Sequence, residues 1–292
     1  MKERISLFFT QQELDSFLEE DLPYFDLTTF SLGIGDIAGE IAYVVREDCL
    51  VCGTEEVARL FQNCSVQRNH FVPSGTRVTA GSVILSGTGS GESLNHVWKV
   101  GQNILDHCSA IATKTSKFID IMAAADSKAA LLTTRKGFPG TKKLATKAIL
   151  TGGAMPHRLG LSESILIFEQ HLHLLGGQQA LEYKLASLKS KNCEKKIIVE
   201  TFNLTEAETY LRLGADGIQF DKVPATDLQQ GAVYLKSKFP QCTLLAAGGI
   251  NEQNLAEYAK CTIDGIVTTS LYHAKPIDIG VKMMRNEGIK AT

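Results

Sequence analysis

The chain has 292 residues, 44% of them hydrophobic, which is enough for about two domains with substantial cores. Its 30 basic and 32 acidic residues leave a formal net charge of -2, so no global field attracts nucleic acid or an anionic membrane, and any anion site must be local. Seven cysteines, an odd number over a long chain, indicate reduced thiols, and the first residues are polar rather than a signal segment. We therefore expect a cytoplasmic protein that binds neither nucleic acid nor membranes.

The amino-terminal third has the pattern of a mixed α and β unit. Apolar residues recur at helical spacing from about residue 11 to residue 20, and residues 37–51 are typical of strands separated by turns. The glycine-rich residues 87–91 lack the spacing of a dinucleotide-binding loop, and we interpret them as a turn before a helix that starts near Glu92 and Ser93. A long helical pattern over residues 93–125 then leads into a second domain.

The second domain alternates short apolar runs with amphipathic helical windows. The runs are residues 129–133, 164–168, 196–199, 217–220, 243–247 and 265–268. Six strand–helix units predict parallel strands, because parallel neighbours need crossover helices. A closed barrel needs eight such units, so we expect an incomplete, open parallel α/β barrel.

Charged residues and glycines follow these runs. They are Arg135 and Lys136, then Glu169 and His171, then Glu200, Asp221, and finally Gly248 and Gly249. The carboxyl ends of parallel strands form one rim, where ligands bind. We therefore expect these residues to converge on one pocket.

Two basic pairs could hold an anionic ligand. Arg135 and Lys136 lie in a loop shaped by Gly and Pro, and arginine offers a planar fork for carboxylate or phosphate. His157 and Arg158 form a second cationic pair, which together with Arg135 could bind a carboxylated ring. The alternatives are a solvated basic loop and an ordinary histidine in a turn.

Carboxylates and glycines suit a sugar phosphate. Glu200 and Asp221 could accept ribose hydroxyl groups or hold a Mg²⁺ that bridges diphosphate oxygens, and their alternative role is helix capping. We expect Gly248 and Gly249 to open one helix and Thr269 to precede another, which would direct free N–H groups at a phosphate. His171 and His173 would share a face if extended, and packing or substrate contact is favoured over metal binding.

These motifs, in order and spacing, resemble the quinolinate phosphoribosyltransferase superfamily, and the similarity covers nearly the whole chain. The matching residues are Thr134-Arg135-Lys136-Gly137-Phe138-Pro139-Gly140, Pro156-His157-Arg158-Leu159-Gly160-Leu161, Glu200, Asp221 and Gly248-Gly249-Ile250-Asn251, preceded by Asp26-Leu27-Thr28-Thr29 and Ser109-Ala110-Ile111-Ala112-Thr113.

The resemblance implies a fold and an assembly. It implies an amino-terminal α/β sandwich domain (residues 1–111), to which a tail (residues 275–292) returns, and an open α/β barrel (residues 112–274) of the type II phosphoribosyltransferase kind. It also implies a homodimer with the active site near the interface, or a higher oligomer.

The resemblance further implies a pentosyltransferase that uses 5-phosphoribosyl 1-diphosphate with Mg²⁺. A ring nitrogen of a heterocyclic acid attacks the anomeric carbon as diphosphate leaves. Lys136, Glu200 and Asp221 would be catalytic, with Glu200 and Asp221 near the metal. By the same resemblance, Arg135, His157 and Arg158 would bind the acceptor carboxylate, and Ala247, Gly248, Gly249, Thr269 and His273 the 5-phosphate.

Three positions depart from the quinolinate enzymes. Phe168 stands in place of a lysine, Lys99 in place of an arginine from the neighbouring subunit, and Ala247 in place of a serine. Each lost charge-assisted contact is worth roughly 1.5–3 kcal/mol, so the pocket suits a dicarboxylate poorly. Phe168, with Phe138 and Pro139, is similar to the ModD pyrophosphorylases, which are associated with molybdenum transport genes. We expect a less anionic, aromatic acceptor stacked on Phe168, with His171 in contact.

Three other functions stay open. The chain could be a true quinolinate phosphoribosyltransferase in NAD biosynthesis, which complementation of a deficient strain would reveal. It could be a non-catalytic protein that binds small anions or nucleotides, although the full set of site residues argues against that. It could also be a Schiff-base lyase that uses Lys136, which borohydride trapping would detect.

Overall fold

A computed structural model describes residues 7–286 and divides the chain into two compact units. Of the described residues, the first unit comprises residues 7–116, Phe138–Gly152 and residues 272–286, and the second comprises Lys117–Gly137 and Gly153–Leu271. Each unit is described by itself. The domain boundaries expected from sequence, at residues 111 and 275, stay a prediction.

The first unit is built on a four-stranded antiparallel sheet. The strands of the unit are β1 (Ala38–Val45), β2 (Cys49–Leu50), β3 (Gln67–Phe71), β4 (Arg77–Val78), β5 (Val83–Ser90) and β13 (Ile279–Arg285). The helices of the unit are α1 (Gln11–Asp21), α2 (Leu27–Leu32), α3 (Thr54–Asn63), α4 (Gly91–Ala124) and α5 (Lys142–Gly152). The sheet order is β13-β1-β5-β3, and β2 pairs with β4 separately. The chain passes into the second unit within α4.

Local sequence signals define the first helices. Thr10 and Glu13 form a capping box at the start of α1, with each backbone N–H donating to the other residue's side chain. Asp26 caps α2 by accepting from the N–H groups of Thr28 and Thr29, and Gly33 ends that helix at a φ of 64°. The Asp26 motif of the family resemblance thus has a structural role here.

The prediction of a turn at residues 87–91 is wrong. Strand β5 runs to Ser90, and α4 begins at Gly91. A Cβ atom on Gly87 would lie 2.7 Å from the Gln67 carbonyl oxygen and 2.9 Å from the Phe61 ring. The glycine therefore serves close packing between neighbouring elements rather than chain reversal.

The second unit is an open, all-parallel α/β barrel, as expected. Its strands are β6 (Ala130–Thr133), β7 (Met155–Pro156), β8 (Ile165–Ile167), β9 (Ile197–Thr201), β10 (Gly217–Asp221), β11 (Thr243–Ala247) and β12 (Gly265–Thr268), and its helices are α6 (Glu169–Leu175), α7 (Gln178–Lys191), α8 (Leu204–Arg212), α9 (Ala225–Lys238) and α10 (Leu255–Tyr258). The sheet order is β7-β6-β12-β11-β10-β9-β8, so β7 and β8 are the edge strands and the barrel stays open between them. All six predicted strands are present.

The barrel interior is an apolar layer beneath the carboxyl rim. Its buried residues are Leu166, Ile198, Leu245, Ala247 and Val267, and Leu132 and Phe168 pack on them. Within residues 7–286, no helix has the length and apolar character needed to cross a membrane.

Candidate active site

Strand pairing brings the predicted site residues of the second unit to one rim. Asp221 on β10 lies beside Ala247 on β11, and Gln219 on β10 lies beside Glu200 on β9. Thr133 on β6 lies beside Thr268 on β12, so the loop that carries Arg135 and Lys136 leaves from the same end. The register, rather than any single contact, makes the rim continuous.

The carboxylates Glu200 and Asp221 form the acidic part of the rim. Gln219 Nε2 donates to Glu200 Oε2 at 2.5 Å. Burial raises the pKa of Glu200, and the Asp221 charge raises it further, whereas the Gln219 bond and the cations Lys136 and Lys222 lower it. These four charged groups therefore interact across one mouth.

Helix capping does not account for the two carboxylates. The Asn203 side chain caps α8 by accepting from the N–H groups of Thr205 and Glu206, and α9 begins after Pro224 without a side-chain cap. Glu200 and Asp221 are therefore available for a ligand.

The paired glycines form a tight turn against β10. Gly248 and Gly249 have φ values of 85° and 74°. A Cβ atom on Gly248 would collide with Asp221 Oδ1 and would lie 2.7 Å from the Lys222 backbone nitrogen. Within residues 7–286, the N–H groups of Gly248, Gly249 and Ile250 have no hydrogen-bond acceptor. The turn can therefore present three donors to an anion.

The expected helix dipoles at this turn are absent. The helix after the glycines, α10, has four residues and starts only at Leu255, and Thr269 precedes a single 3₁₀ turn at Ser270–Tyr272. Helices this short carry little macrodipole. The expectation that Gly248 and Gly249 open a helix is thus wrong, and the backbone turn itself provides the donors.

Two arginines define the opposite, cationic side of the rim. Arg158 is only 8% exposed, and its Nη1 donates to the Ser164 carbonyl at 3.4 Å. Burial and the nearby Arg135 charge lower the pKa of Arg158. Within residues 7–286, neither arginine forms an ion pair with a carboxylate, and two neighbouring like charges favour the binding of an anion.

His157 lies half-buried next to Arg158 in the sequence. Burial lowers its pKa, and the charge of Arg158 lowers it further below the usual 6.5. The roles of His157 and Arg158 as a pair that binds the acceptor carboxylate stay a prediction. The lowered pKa disfavours the cationic form of His157, whose ring nitrogens can still hydrogen-bond to a carboxylate.

Phe168 and His171 form a stacked pair at the start of α6. Their ring centroids are 5.7 Å apart, and the Phe168 N–H donates to His171 Nδ1 at 2.9 Å. The Arg158 guanidinium lies 6.0 Å from the Phe168 ring centroid. His171 and His173 lie on a helix, so the shared face expected of an extended segment does not form.

A hydrogen bond between two threonine hydroxyl groups connects the loop that carries Arg135 and Lys136 to the end of β12. Thr134 Oγ1 lies 2.8 Å from Thr269 Oγ1, and the Lys136 N–H donates to Thr134 Oγ1 at 3.2 Å. Thr269 therefore orients the loop that carries Arg135 and Lys136, and its predicted contact with phosphate stays a prediction.

Two predicted residues, Lys99 and His273, belong to the first unit. The Lys99 ammonium lies 4.5 Å from the Trp98 ring centroid and donates to Gln102 at 3.3 Å. His273 is exposed, and its carbonyl accepts from Lys114 at 3.1 Å. Their roles in the site stay predictions.

Sequence reasoning missed two residues of the rim. Lys222 adopts a left-handed φ of 56°, and its ammonium lies 4.0 Å from Asp221 Oδ2. Gln219 was hidden within an apolar run, although it shares the strand parity of Asp221, and that parity was the available signal. Lys222 also borders a neighbouring groove of about 600 Å³, whose lining includes none of the predicted site residues.

Two family models together match most of the chain. Residues 26–109 match quinolinate phosphoribosyl transferase, N-terminal domain, and residues 111–282 match quinolinate phosphoribosyl transferase, C-terminal domain. The chain belongs to the quinolinate phosphoribosyltransferase family. The predicted superfamily and the assignment to the pentosyltransferases are confirmed.

Relatives with full-length similarity refine this assignment. "Putative pyrophosphorylase ModD" of Pasteurella multocida is 37% identical over 275 residues, which cover 94% of this chain and 98% of that protein. "Probable nicotinate-nucleotide pyrophosphorylase [carboxylating]" of Methanocaldococcus jannaschii is 27% identical, covering 92% and 95%. The ModD-like character of this family member is thereby confirmed.

Solved structures agree on the fold. The nicotinate-nucleotide pyrophosphorylase from Ehrlichia chaffeensis has a TM-score of 0.87 at 23% identity, covering 95% of this chain and all of that one. The enzyme from Francisella tularensis has a TM-score of 0.85 at 23% identity, covering 97% and 100%. The predicted fold class is confirmed.

Proposed function

We propose that this ModD-like enzyme transfers phosphoribose from 5-phosphoribosyl 1-diphosphate to the ring nitrogen of an aromatic heterocycle with a single carboxylate. The nitrogen–anomeric carbon bond forms, and the bond from that carbon to diphosphate oxygen breaks, with the electron pair leaving on diphosphate. The proposal rests chiefly on one observation: acids, cations and a donor-rich turn from separate strands share the rim of the second unit.

The acceptor side supports a monocarboxylate. Arg158 and Arg135 repel each other in the absence of an anion, and a carboxylate between them would relieve that repulsion. Phe168, where the resemblance implies a lysine, offers an aromatic edge and no charge. Because its lowered pKa disfavours the cationic form, His157 would compensate a second carboxylate less well than a permanent cation would.

The phosphoribosyl side is supported by the opposite part of the rim. Glu200 and Asp221 suit ribose hydroxyl groups, Lys136 suits the diphosphate, and the free N–H groups at Gly248 and Gly249 suit the 5-phosphate. Catalysis then consists of positioning and stabilisation of developing charge at the anomeric carbon, without a covalent nucleophile.

The donor set fits Mg²⁺ that arrives with the substrate. Within residues 7–286, no group of three or more His, Cys, Asp and Glu side chains could cage a metal by itself. Two carboxylates, Glu200 and Asp221, match the usual protein share of a Mg²⁺ site completed by phosphate oxygens and water. When bound, the ion would neutralise charge on the departing diphosphate.

The proposal extends to the oligomeric state and the cellular compartment of the protein. We expect a homodimer in which Lys99 of one subunit reaches the site of the other. All seven cysteines lie in the described residues and are free thiols, which agrees with a reducing cytoplasm. The ModD relationship suggests a link to molybdenum metabolism.

The test is an acceptor screen that measures diphosphate release. Purified protein with Mg²⁺ and 5-phosphoribosyl 1-diphosphate is given pyridine and other heterocyclic monocarboxylates alongside quinolinate. We expect at least one monocarboxylate to be turned over faster than quinolinate. Equal or better turnover of quinolinate than of every monocarboxylate would contradict the proposed acceptor class and favour the quinolinate enzyme.

Matched lysine variants separate the site from general effects of charge. Lys136→Ala should lose turnover at least tenfold, because an ammonium at the diphosphate is removed. Lys128→Ala removes an exposed lysine at the other end of β6 and should leave turnover unchanged. Equal effects of the two substitutions would argue against a role of the rim.

A further inference from the structure

One polar side chain interrupts the apolar interior of the barrel. Gln219 is 4% exposed and lies between Glu200 on β9 and Leu245 on β11. Ile198, which shares the strand face of Glu200, and Leu245 belong to the buried apolar layer. The Gln219 amide therefore reaches Glu200 from within that layer.

The amide is poorly satisfied where it lies. Within residues 7–286, Gln219 Oε1 has no hydrogen-bond partner. Removing an amide oxygen from water without replacing its hydrogen bond lowers stability, and a methionine of similar length would fill the same space without that cost. Packing alone thus gives no reason for glutamine at this position.

Within the described residues, the amide nitrogen of Gln219 makes one side-chain hydrogen bond, to the carboxylate of Glu200. Gln219 Nε2 donates to Glu200 Oε2 at 2.5 Å, whereas Glu200 Oε1 has no hydrogen-bond partner within the described chain. Asp221 repels this carboxylate, and Lys136 and Lys222 attract it. The bond from the amide to Oε2 therefore opposes rotation of the carboxylate toward either lysine.

We propose that Gln219 is a positioning residue that orients the Glu200 carboxylate toward the phosphoribosyl substrate at the expense of folding stability. The inference rests on the proposed function, because it requires Glu200 to contact that substrate. In this proposal, the Gln219 amide binds one oxygen of the Glu200 carboxylate and leaves the other oxygen free to accept from a ribose hydroxyl group.

A double-mutant cycle tests the inference. The four proteins are the wild type, Gln219→Met, Glu200→Ala and the double variant, each titrated calorimetrically with 5-phosphoribosyl 1-diphosphate and Mg²⁺ and assayed for turnover. We expect Gln219→Met to weaken binding or lower kcat about tenfold or more in the wild type, and by less than about twofold when Glu200 is already absent. We also expect Gln219→Met to melt at the same temperature as the wild type or higher.

Gln229 provides a matched control for the substitution. Its amide on α9 is satisfied at both ends, since Nε2 donates to Thr262 Oγ1 at 3.1 Å and Oε1 accepts from the Thr262 N–H at 2.6 Å. Gln229→Met should show the reverse pattern, with a lower melting temperature and unchanged ligand binding.

The outcomes separate this inference from the proposed function. A wild type that neither binds the diphosphate substrate nor turns over any acceptor overturns both. A wild type that binds it, together with equal effects of Gln219→Met in both backgrounds, overturns the inference alone. A lower melting temperature of Gln219→Met with unchanged binding also overturns the inference, because it would identify the amide as structural.

Discussion

At the residue scale, Gly248 shows how one missing Cβ atom shapes the rim. Gly248→Ala would combine an unfavourable φ of 85° with a collision against Asp221 and Lys222. Gly214→Ala is the matched control, because Gly214 has a φ of 104° and open space around its Cβ position. We expect losses of about 3 and about 1 kcal/mol in the free energy of unfolding, respectively.

Urea denaturation measures both losses, and substrate titration measures the site. Binding of 5-phosphoribosyl 1-diphosphate should weaken in Gly248→Ala and stay unchanged in Gly214→Ala. Equal losses of stability in the two variants would show that strain alone, and not crowding against β10, determines the cost.

Arg158 is the second residue whose setting makes a measurable prediction. Its guanidinium is buried beside Arg135, and its pKa is lowered, so its charge is better tolerated with an anion present. Arg158→Met should weaken acceptor binding about tenfold to hundredfold. Arg212→Met, on the exposed face of α8, should leave binding unchanged. Calorimetric titration with the preferred acid distinguishes these outcomes, and similar affinities for both variants would contradict the assignment.

At the element scale, α5 is held by ion pairs of unequal burial. The Lys147 side chain is 11% exposed and contacts both Glu55 and Glu56, and the Glu56 side chain is 6% exposed. Lys143, four residues earlier, pairs with Glu13 and is 38% exposed. These two lysines on one helix allow a direct comparison.

Lys147→Met should cost about 3–5 kcal/mol, because it leaves a buried carboxylate unpaired. Lys143→Met should cost at most about 1 kcal/mol, because water already solvates that pair. Chemical denaturation of both variants gives the difference. A small loss in Lys147→Met would show that Glu56 regains water or a proton at little cost.

Asp106 on α4 contacts the start of β13 and makes the stability of the first unit depend on pH. Burial raises the pKa of Asp106 to about 6, and the nearby Asp278 charge acts in the same direction, although the Ile279 N–H donates to its carboxylate at 3.3 Å. The folded pKa exceeds the usual 3.8, so the folded state binds the proton more tightly. This contribution to stability is complete below the unfolded pKa and is lost as pH rises through about 6.

Asp106→Asn should therefore be more stable than the wild type at pH 8 and equal to it near pH 4. After allowance for partial exposure, we expect a gain of about 1 kcal/mol at the higher pH. Melting temperatures across this range test the sign, and a difference that does not change with pH would contradict it.

The elements themselves were predictable in unequal degree. The six apolar runs of the second unit became strands because each is a short apolar segment between helical windows, whereas Met155–Pro156, a two-residue strand of that unit, was not predicted. Residues 87–90 were predicted as a turn because the sequence does not distinguish a glycine that permits close packing in a strand from a glycine that permits a turn.

At the scale of the whole molecule, the proposed dimer predicts complementation between subunits. Lys99→Ala and Lys136→Ala would damage different subunits' contributions to one site. Mixed after subunit exchange, the two variants should regain about a quarter of wild-type activity, because half of the dimers are mixed and each has one intact site. Each variant alone is the control. No recovery despite demonstrated exchange would place Lys99 outside the site.

The sequence by itself determined the family and the open parallel barrel, because the apolar runs, the helical segments between them and the residues after each strand follow one another along the chain. Only the tertiary structure brought Gln219 and Lys222 to the rim, lowered the pKa of His157 and formed the backbone turn that replaces a helix dipole. Those properties depend on burial and on charges brought together from separate strands, and neither is visible in linear order.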